Sequence, residues 1–508
     1  MHLETALSAV VVSLTLVLVS VCAAILARQR RKYASIPMAT PRIPFVGNAA
    51  SLDLSRCHIV LAEWATMFGP VFRIKLYQEE ILVLNNYDSV HDALVLKGGD
   101  FAGRPPMYRT AQSQRHRHSI VWQTYNDKLQ FLRKEVLKSL KMYGEGKENL
   151  QQRSGLEIEK MLEDMRKWGG VCFNPWDHIY DAVSNVMLGL TLNTIFEQGS
   201  PSLQTIKEIN RRFNNSFGSG EARLLDLLPW LGPLGLGQHS LHLEAALTLR
   251  DQFWEKELQL LKKRDNSDCI VQQLLSLMSE PKAQQLDITE ATAKEVFTNL
   301  ILAGTDTTAS ALTSLLLVFL HHPEIQMKIW AEVCNEVGNK RLVTLSDRAH
   351  MPYLQAVLLE LLRYISHVPL AVPHYTTRDT HVRGISVPKD MTVYINLWAV
   401  HHDPDDWPQP WTFKPERFLD TTGQLLPPSH PARRRLLTFG AGRRVCLGEA
   451  LAKNRLFLFA AALVQHFWFA PSAEDERSGT LPPVDPRTYQ MGLVLHPRPF
   501  TLRATPRH

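Results

Sequence analysis

A glycine-rich segment near the C-terminal end of the chain presents one cysteine. Residues Phe439 to Glu449 read Phe-Gly-Ala-Gly-Arg-Arg-Val-Cys-Leu-Gly-Glu, and the apolar pattern that follows predicts a helix from Ala450 to Leu463. Glycine lets a backbone approach a flat partner closely. A helix N-terminus and nearby arginines stabilise a thiolate and lower the pKa of the thiol. We therefore predict that Cys446 acts as a thiolate; a nucleophilic cysteine is the alternative, although no obvious general base lies next to it.

A second candidate segment interrupts a long predicted helix. The helical pattern begins with Asp287 and Glu290 as capping residues and runs to about His321. Its middle, residues 303–308, reads Ala-Gly-Thr-Asp-Thr-Thr, and both glycine and threonine are poor formers of a helix interior. A tolerated local defect is one interpretation. The other is a distortion that leaves room for a ligand.

The cysteine segment resembles the signature of the cytochrome P450 family, Phe-x-x-Gly-x-Arg-x-Cys-x-Gly. Every fixed position is filled, by Phe439, Gly442, Arg444, Cys446 and Gly448. The resemblance implies an enzyme, a haem-thiolate monooxygenase, whose cofactor is haem b (iron protoporphyrin IX) with Cys446 as the axial ligand. In this family the thiolate donates electron density through the iron and favours cleavage of the O–O bond.

Two further segments resemble a structural network of the same family. Glu360-Leu-Leu-Arg363 is similar to its Glu-x-x-Arg pair, and Pro415-Glu-Arg417-Phe is similar to the segment that supplies a third partner. Residues three apart share a helix face, so we expect Glu360 and Arg363 to pair and Arg417 to share the carboxylate. This role is structural, because arginine does not usefully exchange protons.

The interrupted helix resembles the family's oxygen-binding helix, in which Gly304 opens a groove. Asp306 and Thr307 are then similar to its acid–alcohol pair, which relays protons through water. By the same resemblance, the residues predicted to bind the haem are Arg104, Arg133, His374, Phe439, Arg444 and Gly448. The residues predicted to line the substrate pocket are Arg250, Asn299, Ala303, Val368 and Val372.

Three positions depart from the family pattern. Leu129 stands where a tryptophan usually precedes Arg133, so an indole donor to a haem propionate is absent there. Thr438 and Ser366 each stand where the family usually has a proline. None of these changes removes a reacting group, and the monooxygenase interpretation is retained.

Several segments are most similar to the microsomal group that contains steroid 17-alpha-hydroxylase/17,20-lyase and steroid 21-hydroxylase. They include residues 101–105 (Phe-Ala-Gly-Arg-Pro) and 368–374 (Val-Pro-Leu-Ala-Val-Pro-His). The resemblance implies an apolar, steroid-like substrate, with Arg250 donating to a keto oxygen; for Arg250, an exposed helix arginine is the alternative. The other interpretations are a microsomal monooxygenase of xenobiotics or fatty acids, a haem-thiolate isomerase or dehydratase, and a non-catalytic haem or lipid carrier.

The electrons for such a reaction must come from another protein. No GxGxxG fingerprint follows a predicted strand, so the sequence predicts no flavin or nicotinamide site of its own. The resemblance implies NADPH–cytochrome P450 reductase as a partner, with cytochrome b5 as a second. The basic residues predicted to dock an acidic flavodomain are Lys134, Lys138, Arg434, Arg435, Arg443 and Lys453. The alternative is a solvated basic face.

The elements that position these residues are mostly helices. Helical patterns dominate from Tyr125 to about Trp330, while a hairpin is predicted at 71–76 and 81–84 and a strand at 391–397. A surface helix is predicted from Pro323 to Val337. No linker rich in glycine or serine divides the chain. We predict a mostly α fold with a small β region, the cytochrome P450 fold, in one large domain.

The first thirty-two residues differ in kind from the rest. Ala6 to Ala27 is uncharged and apolar, which matches the ~20 residues needed to cross a bilayer. Basic residues at 28 and 30–32 then favour a cytosolic body, and the resemblance implies the endoplasmic reticulum membrane; a cleaved signal peptide is the alternative. The predicted units are 1–32 (membrane anchor), 33–50 (proline-rich hinge) and 51–508 (monooxygenase domain).

Composition limits the remaining classes of function. The net charge of +6 over 508 residues does not imply nucleic-acid binding. The six cysteines are scattered and form no CxxC pair, which argues against a disulfide scaffold or a zinc ribbon. Any role for a cysteine therefore rests on one thiol.

Overall fold

The computed structural model describes residues 13, 16, 17, 20, 31–112, 115–141, 147–218, 225–234, 238–264 and 268–507. The predicted membrane anchor, Ala6 to Ala27, lies outside the described residues except at four positions. Helices account for 57% of the structure and strands for 10%, which confirms the predicted mostly α fold with a small β region in a single domain.

The helices vary from four to 32 residues in length. In chain order they are α1 (Cys57–Phe68), α2 (Tyr87–His91), α3 (Tyr108–Gln112), α4 (Arg115–His118), α5 (Asp127–Leu140), α6 (Lys147–Lys167), α7 (Trp176–Leu192), α8 (Pro201–Gly218), α9 (Gln238–Lys262), α10 (Ile270–Leu277), α11 (Pro281–Gln285), α12 (Glu290–His321), α13 (Pro323–Glu336), α14 (Pro352–Ile365), α15 (Leu397–His402), α16 (Pro431–Arg435), α17 (Glu449–His466) and α18 (Ala473–Ser478). Single 3-10 turns lie at Leu54–Arg56, Pro229–Leu234, Asp347–His350, Pro415–Phe418, Gly442–Arg444 and Pro486–Thr488, and a π turn at Asp92–Leu96.

The strands form one four-stranded sheet and three small pairs. They are β1 (Val71–Leu76), β2 (Glu79–Leu84), β3 (His374–Tyr375), β4 (Thr380–Val382), β5 (Ile385–Val387), β6 (Thr392–Ile395), β7 (Phe467–Ala470), β8 (Gln490–Met491), β9 (Leu495–His496) and β10 (Arg503–Pro506). The sheet order is β1-β2-β6-β3, with β2 and β6 parallel and the other neighbours antiparallel. The pairs are β4 with β5, β7 with β10, and β8 with β9.

Helix α12 runs through the core and organises the fold. It packs against α7, α13, α14 and α17, and almost every residue from Thr308 to Leu320 is buried. Within the described ranges it is the one helix long and apolar enough to cross a membrane, but 78% of its most apolar window is buried. This burial identifies it as a core helix.

Two predicted boundaries are wrong for local reasons. Asp287 does not cap α12, because it has a left-handed backbone (φ 53°) in the turn that ends α11. The capping box is formed by Thr289 and Thr292 instead. The predicted hairpin turn is too long: Glu79 and Glu80 already belong to β2 and pair with β1. The predicted ends at His321 and near Val337 agree with the structure within one residue.

The proline-rich segment before β1 is not helical, as its prolines predict. It lies on the sheet: Met38 bridges Arg73, and the amide of Ala39 donates to the carbonyl of Arg73 at 3.0 Å. The buried side chain of Asn48 donates to the carbonyls of Ala39 and Pro41. These bonds hold the segment against the body.

Candidate active site

The cysteine segment is a tight loop that ends at the start of α17. Gly440 and Gly442 have positive φ angles of 71° and 66°, a conformation that favours glycine. A Cβ atom at Gly442 would lie 1.7 Å from the backbone oxygen of Leu94, so a side chain does not fit there. The amide of Cys446 donates to the carbonyl of Phe439 at 2.9 Å, which closes the loop and fixes the position of the thiol.

The thiol of Cys446 faces a recess within the body. Its side chain has exposed surface, yet protein atoms surround it, so this surface does not belong to the outside of the molecule. Burial raises the pKa of the thiol, and the amide of Gly448 and the guanidinium of Arg133 only partly oppose this. The prediction that the loop lowers this pKa is therefore wrong, because desolvation outweighs the helix terminus and the arginines. A metal cation bound to the sulfur would favour the thiolate.

Three arginines from distant segments converge near this loop. Arg104 donates to the carbonyls of Val121 and Pro373 at 2.9 and 2.8 Å. Arg133 donates to the carbonyl of Val445 at 2.6 Å, and Arg444 donates to those of Ala102 and Gln123 at 2.8 and 2.5 Å.

The electrostatics of these arginines favour an anion. Burial, and then the charges of Arg444 and Arg133, hold the pKa of Arg104 well below its usual range. Burial and the charge of Arg133 lower the pKa of Arg444 to about 9. Among the described residues, none of the three forms an ion pair with a carboxylate, and Nη1 of Arg444 is buried without a partner. The cluster therefore fits a group that brings carboxylates.

Other predicted cofactor residues lie around the same recess. His374 is buried, and its Nδ1 donates to the carbonyl of Phe101 at 2.7 Å. Burial and the charge of Arg104 hold the pKa of this histidine well below its usual range. The ring of Phe439 lies under the ammonium of Lys453 at 5.2 Å. A Cβ atom at Gly448 would lie 3.9 Å from Sγ of Cys446.

Helix α12 is continuous through residues 303–308, but its neighbouring side chains face in different directions. Thr307 is half-buried and donates to the carbonyl of Ala303 at 2.6 Å. Asp306 is buried and accepts from Asn214 at 2.8 Å, and Nε2 of His496 lies 3.2 Å from its Oδ2. The predicted acid and alcohol are adjacent in the chain, and the structure shows no direct bond between their side chains.

Two predicted substrate residues are joined through a carboxylate. Arg250 donates to Glu295 at 3.2 Å, and Asn299 donates to Glu295 at 2.8 Å. Arg115 on α4 donates to the same carboxylate at 2.6 Å, and Ser119 donates to Asn299 at 2.6 Å. This network ties α4, α9 and α12 together, so Arg250 already has a protein partner.

The predicted apolar wall has accessible surface. Ala303 on α12 is exposed, and Val368 and Val372, which follow α14, are half-buried. These three residues therefore have surface that an apolar ligand can cover.

The Glu360 network is buried in the core of the protein. Arg363 donates to both carboxylate oxygens of Glu360 at 2.8 Å, and neither side chain is exposed. Arg417 donates to the same carboxylate at 3.3 Å, and the amide of Lys414 donates at 2.9 Å. Arg363 also donates to the carbonyl of His401, which links α14 to α15.

Two residues near α12 were not predicted from the sequence. Arg455 on α17 is fully buried and donates to the carbonyl of Gly304. The sequence signal for it is a single charged residue in an apolar run, Arg-Leu-Phe-Leu-Phe. His496 on β9 reaches Asp306, and no local pattern predicts that contact.

Comparisons with known proteins agree with this site. The cytochrome P450 family matches residues 37–504. The chain is 31% identical over 477 residues to steroid 17-alpha-hydroxylase/17,20 lyase of Gallus gallus, covering 92% of this chain and 91% of the relative. It is 31% identical over 501 residues to cytochrome P450 2U1 of Rattus norvegicus (94% and 92%) and 30% identical over 522 residues to cytochrome P450 2J5 of Mus musculus (100% and 97%).

The chain belongs to the cytochrome P450 family. It is a monooxygenase, an oxidoreductase, and membership implies a haem-thiolate cofactor. The predicted similarity to the steroid 17-alpha-hydroxylases is confirmed, with the 2U1 and 2J5 proteins at comparable identity.

Proposed function

We propose that this chain holds haem b through Cys446 and inserts one atom of dioxygen into an apolar, steroid-like substrate. The observation that carries the proposal is an accessible thiol beside three guanidiniums, those of the buried Arg104 and the half-buried Arg133 and Arg444, that have no carboxylate partner among the described residues. A haem matches this donor set, because it brings an iron for the sulfur and two propionates for the cations.

The residues of the chain divide the remaining work. Bound haem supplies the binding and activation of dioxygen. Arg444 and its neighbours would hold the propionates, and Phe439 and the glycines of the loop would allow close approach of a flat ring. Thr307 and Asp306 would hold and move protons, while Ala303, Val368 and Val372 would exclude water from the substrate.

The substrate class is supported by the character of the pocket wall and by relatives. The accessible residues Ala303, Val368 and Val372 are apolar, as a sterol or another lipid requires. Some relatives carry the name steroid 17-alpha-hydroxylase/17,20 lyase. In our proposal the Arg250–Glu295–Asn299 network forms the polar end of the pocket, and Arg250 donates to a substrate keto oxygen.

The electron donor we propose is NADPH–cytochrome P450 reductase, with cytochrome b5 as a second partner. Lys134, Lys138, Arg434 and Arg443 are exposed, and these four form no ion pair within the described ranges. Two other predicted docking residues already have acidic partners. Arg435 pairs with Asp406 at 3.0 Å, and Lys453 pairs with Glu449 at 2.5 Å. The exposed four therefore form the stronger dock for an acidic flavodomain.

For location, we propose the membrane of the endoplasmic reticulum, with the catalytic body in the cytosol. The apolar run Ala6 to Ala27 and the basic residues that follow it support this proposal. The 33–50 unit then connects the anchor to the body.

Spectroscopy of the full-length protein tests the cofactor and its ligand. The wild type is expected to contain haem and to give the long-wavelength carbon monoxide difference band of a thiolate ligand. Cys446→Ser is expected to lose that band and all oxygen insertion, whereas the control Cys172→Ser, at a half-buried cysteine, is expected to retain both. Retention of the band in Cys446→Ser, or turnover of the wild type without reductase and dioxygen, would contradict the proposal.

A panel of steroids, fatty acids and aromatic xenobiotics tests the substrate class through spin-state shifts. Keto-steroids are expected to bind best, and Arg250→Ala is expected to weaken their binding selectively. Arg211→Ala is the control, because Arg211 pairs with Glu208 on an exposed face of α8. Tighter binding of fatty acids than of any steroid would replace the steroid assignment.

A further inference from the structure

A histidine from the small β region reaches the buried carboxylate of α12. Nε2 of His496 lies 3.2 Å from Oδ2 of Asp306, and Asn214 on α8 donates to the same oxygen at 2.8 Å. The side chain of His496 is 23% exposed and that of Asp306 is 8% exposed. His496 therefore contacts this carboxylate and also has surface that solvent can reach.

The backbone places this imidazole rigidly. Ser310 on α12 donates to the carbonyl of Leu495 at 2.7 Å, and the amide of Leu495 donates to the carbonyl of His367 at 2.8 Å. The ring of Trp176 meets the ring of His496 edge-on, with centroids 5.3 Å apart. The histidine is thus held from α12, from the segment after α14 and from α7.

The other titratable groups near His496 and Asp306 do not change their charge near neutral pH. Burial and the charge of His496 lower the pKa of His367 to about 3, so its ring is neutral. Burial and the charge of Asp306 raise the pKa of Tyr180 well above its usual range, so its phenol is neutral. Lys207 lies over the ring of Tyr180, and two carboxylates of α7, at Asp177 and Asp181, neutralise it. An imidazole can both give and take a proton, and His496 is the imidazole that contacts the carboxylate of Asp306.

We propose that His496 is the residue that supplies protons from solvent to Asp306 during oxygen activation, an inference that rests on the proposed function. The imidazolium gives its Nε2 proton to the carboxylate of Asp306, which becomes a neutral acid, and the neutral imidazole then takes a proton from water. Each passage through His496 moves one proton from solvent to Asp306, and only N–H and O–H bonds break and form. Asp306 passes the proton on toward Thr307 and returns to the carboxylate.

The test compares two ways of supplying oxygen to His496→Gln. With NADPH, reductase and dioxygen, the variant is expected to lose product formation by roughly tenfold or more, with electrons diverted to peroxide and a larger solvent isotope effect. With hydrogen peroxide, which brings its own protons, product formation is expected to stay within twofold of the wild type. The control His350→Gln removes a histidine–carboxylate pair of 2.8 Å with Glu336 on the surface and is expected to change neither rate.

A double-mutant cycle on thermal unfolding tests the contact without turnover. His496→Gln and Asp306→Asn are expected to be coupled, because each change removes one side of the same contact. Unchanged NADPH-supported coupling, equal losses by both routes, or absence of the thermal coupling would overturn the inference. The thiolate spectrum and the peroxide-supported rate of the wild type test the proposed function separately, so the two failures are distinguishable.

Discussion

The guanidinium of Arg455 donates to the carbonyl oxygen of Gly304 at 2.5 Å and to the hydroxyl of Thr308 at 2.8 Å. Its Nε and Nη1 atoms are buried without a partner among the described residues, and burial lowers its pKa to about 9. An unpaired buried cation is costly. The guanidinium thus binds two oxygen atoms of α12, one before Asp306 and one after Thr307 in the chain.

Arg455→Met is expected to leave the free energy of unfolding unchanged or to raise it by about 1–2 kcal/mol, since the unpaired charge is removed from the core. Urea unfolding measures this change. Lys453→Met, on the same helix, is the control and is expected to change stability by less than about 1 kcal/mol. A loss of more than about 3 kcal/mol in Arg455→Met would show that the guanidinium has a buried counter-charge.

Gly442→Ala is expected to prevent the cysteine loop from closing, because the added Cβ would lie 1.7 Å from a backbone oxygen and the residue has φ 66°. The expected result is loss of haem content in the purified protein. Gly440→Ala is the matched control: φ is 71°, but its Cβ would meet nothing within 4 Å. It is expected to cost only about 1–2 kcal/mol and to retain haem. Equal haem content in both variants would contradict this account.

Glu360→Gln is expected to destabilise the protein by about 3–5 kcal/mol, because it leaves the buried guanidinium of Arg363 without its counter-charge. The measurement is the midpoint of thermal unfolding together with the free energy from urea. Glu208→Gln breaks exposed pairs with Arg211 and Arg212 and is expected to cost at most about 1 kcal/mol. Similar losses of unfolding free energy in the two variants would mean that the buried network stabilises the protein no more than the surface pairs do.

Thr307→Ala is expected to keep haem and substrate binding but to divert electrons into peroxide, because the hydroxyl that holds a proton on α12 is removed. The ratio of product to NADPH consumed measures this coupling. Thr307→Ser retains the hydroxyl and its bond to the carbonyl of Ala303, so it is expected to behave like the wild type. Full coupling in the alanine variant would exclude Thr307 from the relay.

Acid is expected to unfold this protein in part through buried histidines. Burial lowers the pKa of His367 to about 3, whereas an unfolded histidine has a pKa of about 6.5. Between these values the unfolded state binds more protons, so stability falls as the pH falls below about 6.5, by about 1.4 kcal/mol per pH unit for this group. His402, with a pKa of about 3, adds the same effect.

The variant His367→Leu isolates this contribution. Both ring nitrogens of His367 are buried without a partner, so leucine removes the titration without breaking a bond among the described residues. The loss of unfolding free energy between pH 6.5 and pH 5 is expected to be about 2 kcal/mol smaller than in the wild type. Identical slopes for the two proteins would mean that His367 does not titrate on unfolding.

Sequence alone was sufficient where the requirement is local. The positive φ at Gly442 demands glycine, and the spacing of Glu360 and Arg363 places both on one helix face. The end of α12 at His321 follows from its pattern in the same way. Its start did not, because the choice between Asp287 and Thr289 as the cap depends on where α11 ends.

The tertiary structure decided everything that depends on burial or on distant segments. The sequence predicted a lowered pKa for Cys446 from its arginines and helix terminus, but desolvation by the surrounding body, which no local pattern encodes, raises it. Arg250 and Asn299 meet at Glu295, and His496 meets Asp306, only because α4, α9, α12 and β9 pack together. A sequence determines which groups are present and their local backbone, whereas their charges and partners depend on the packing of segments far apart in the chain.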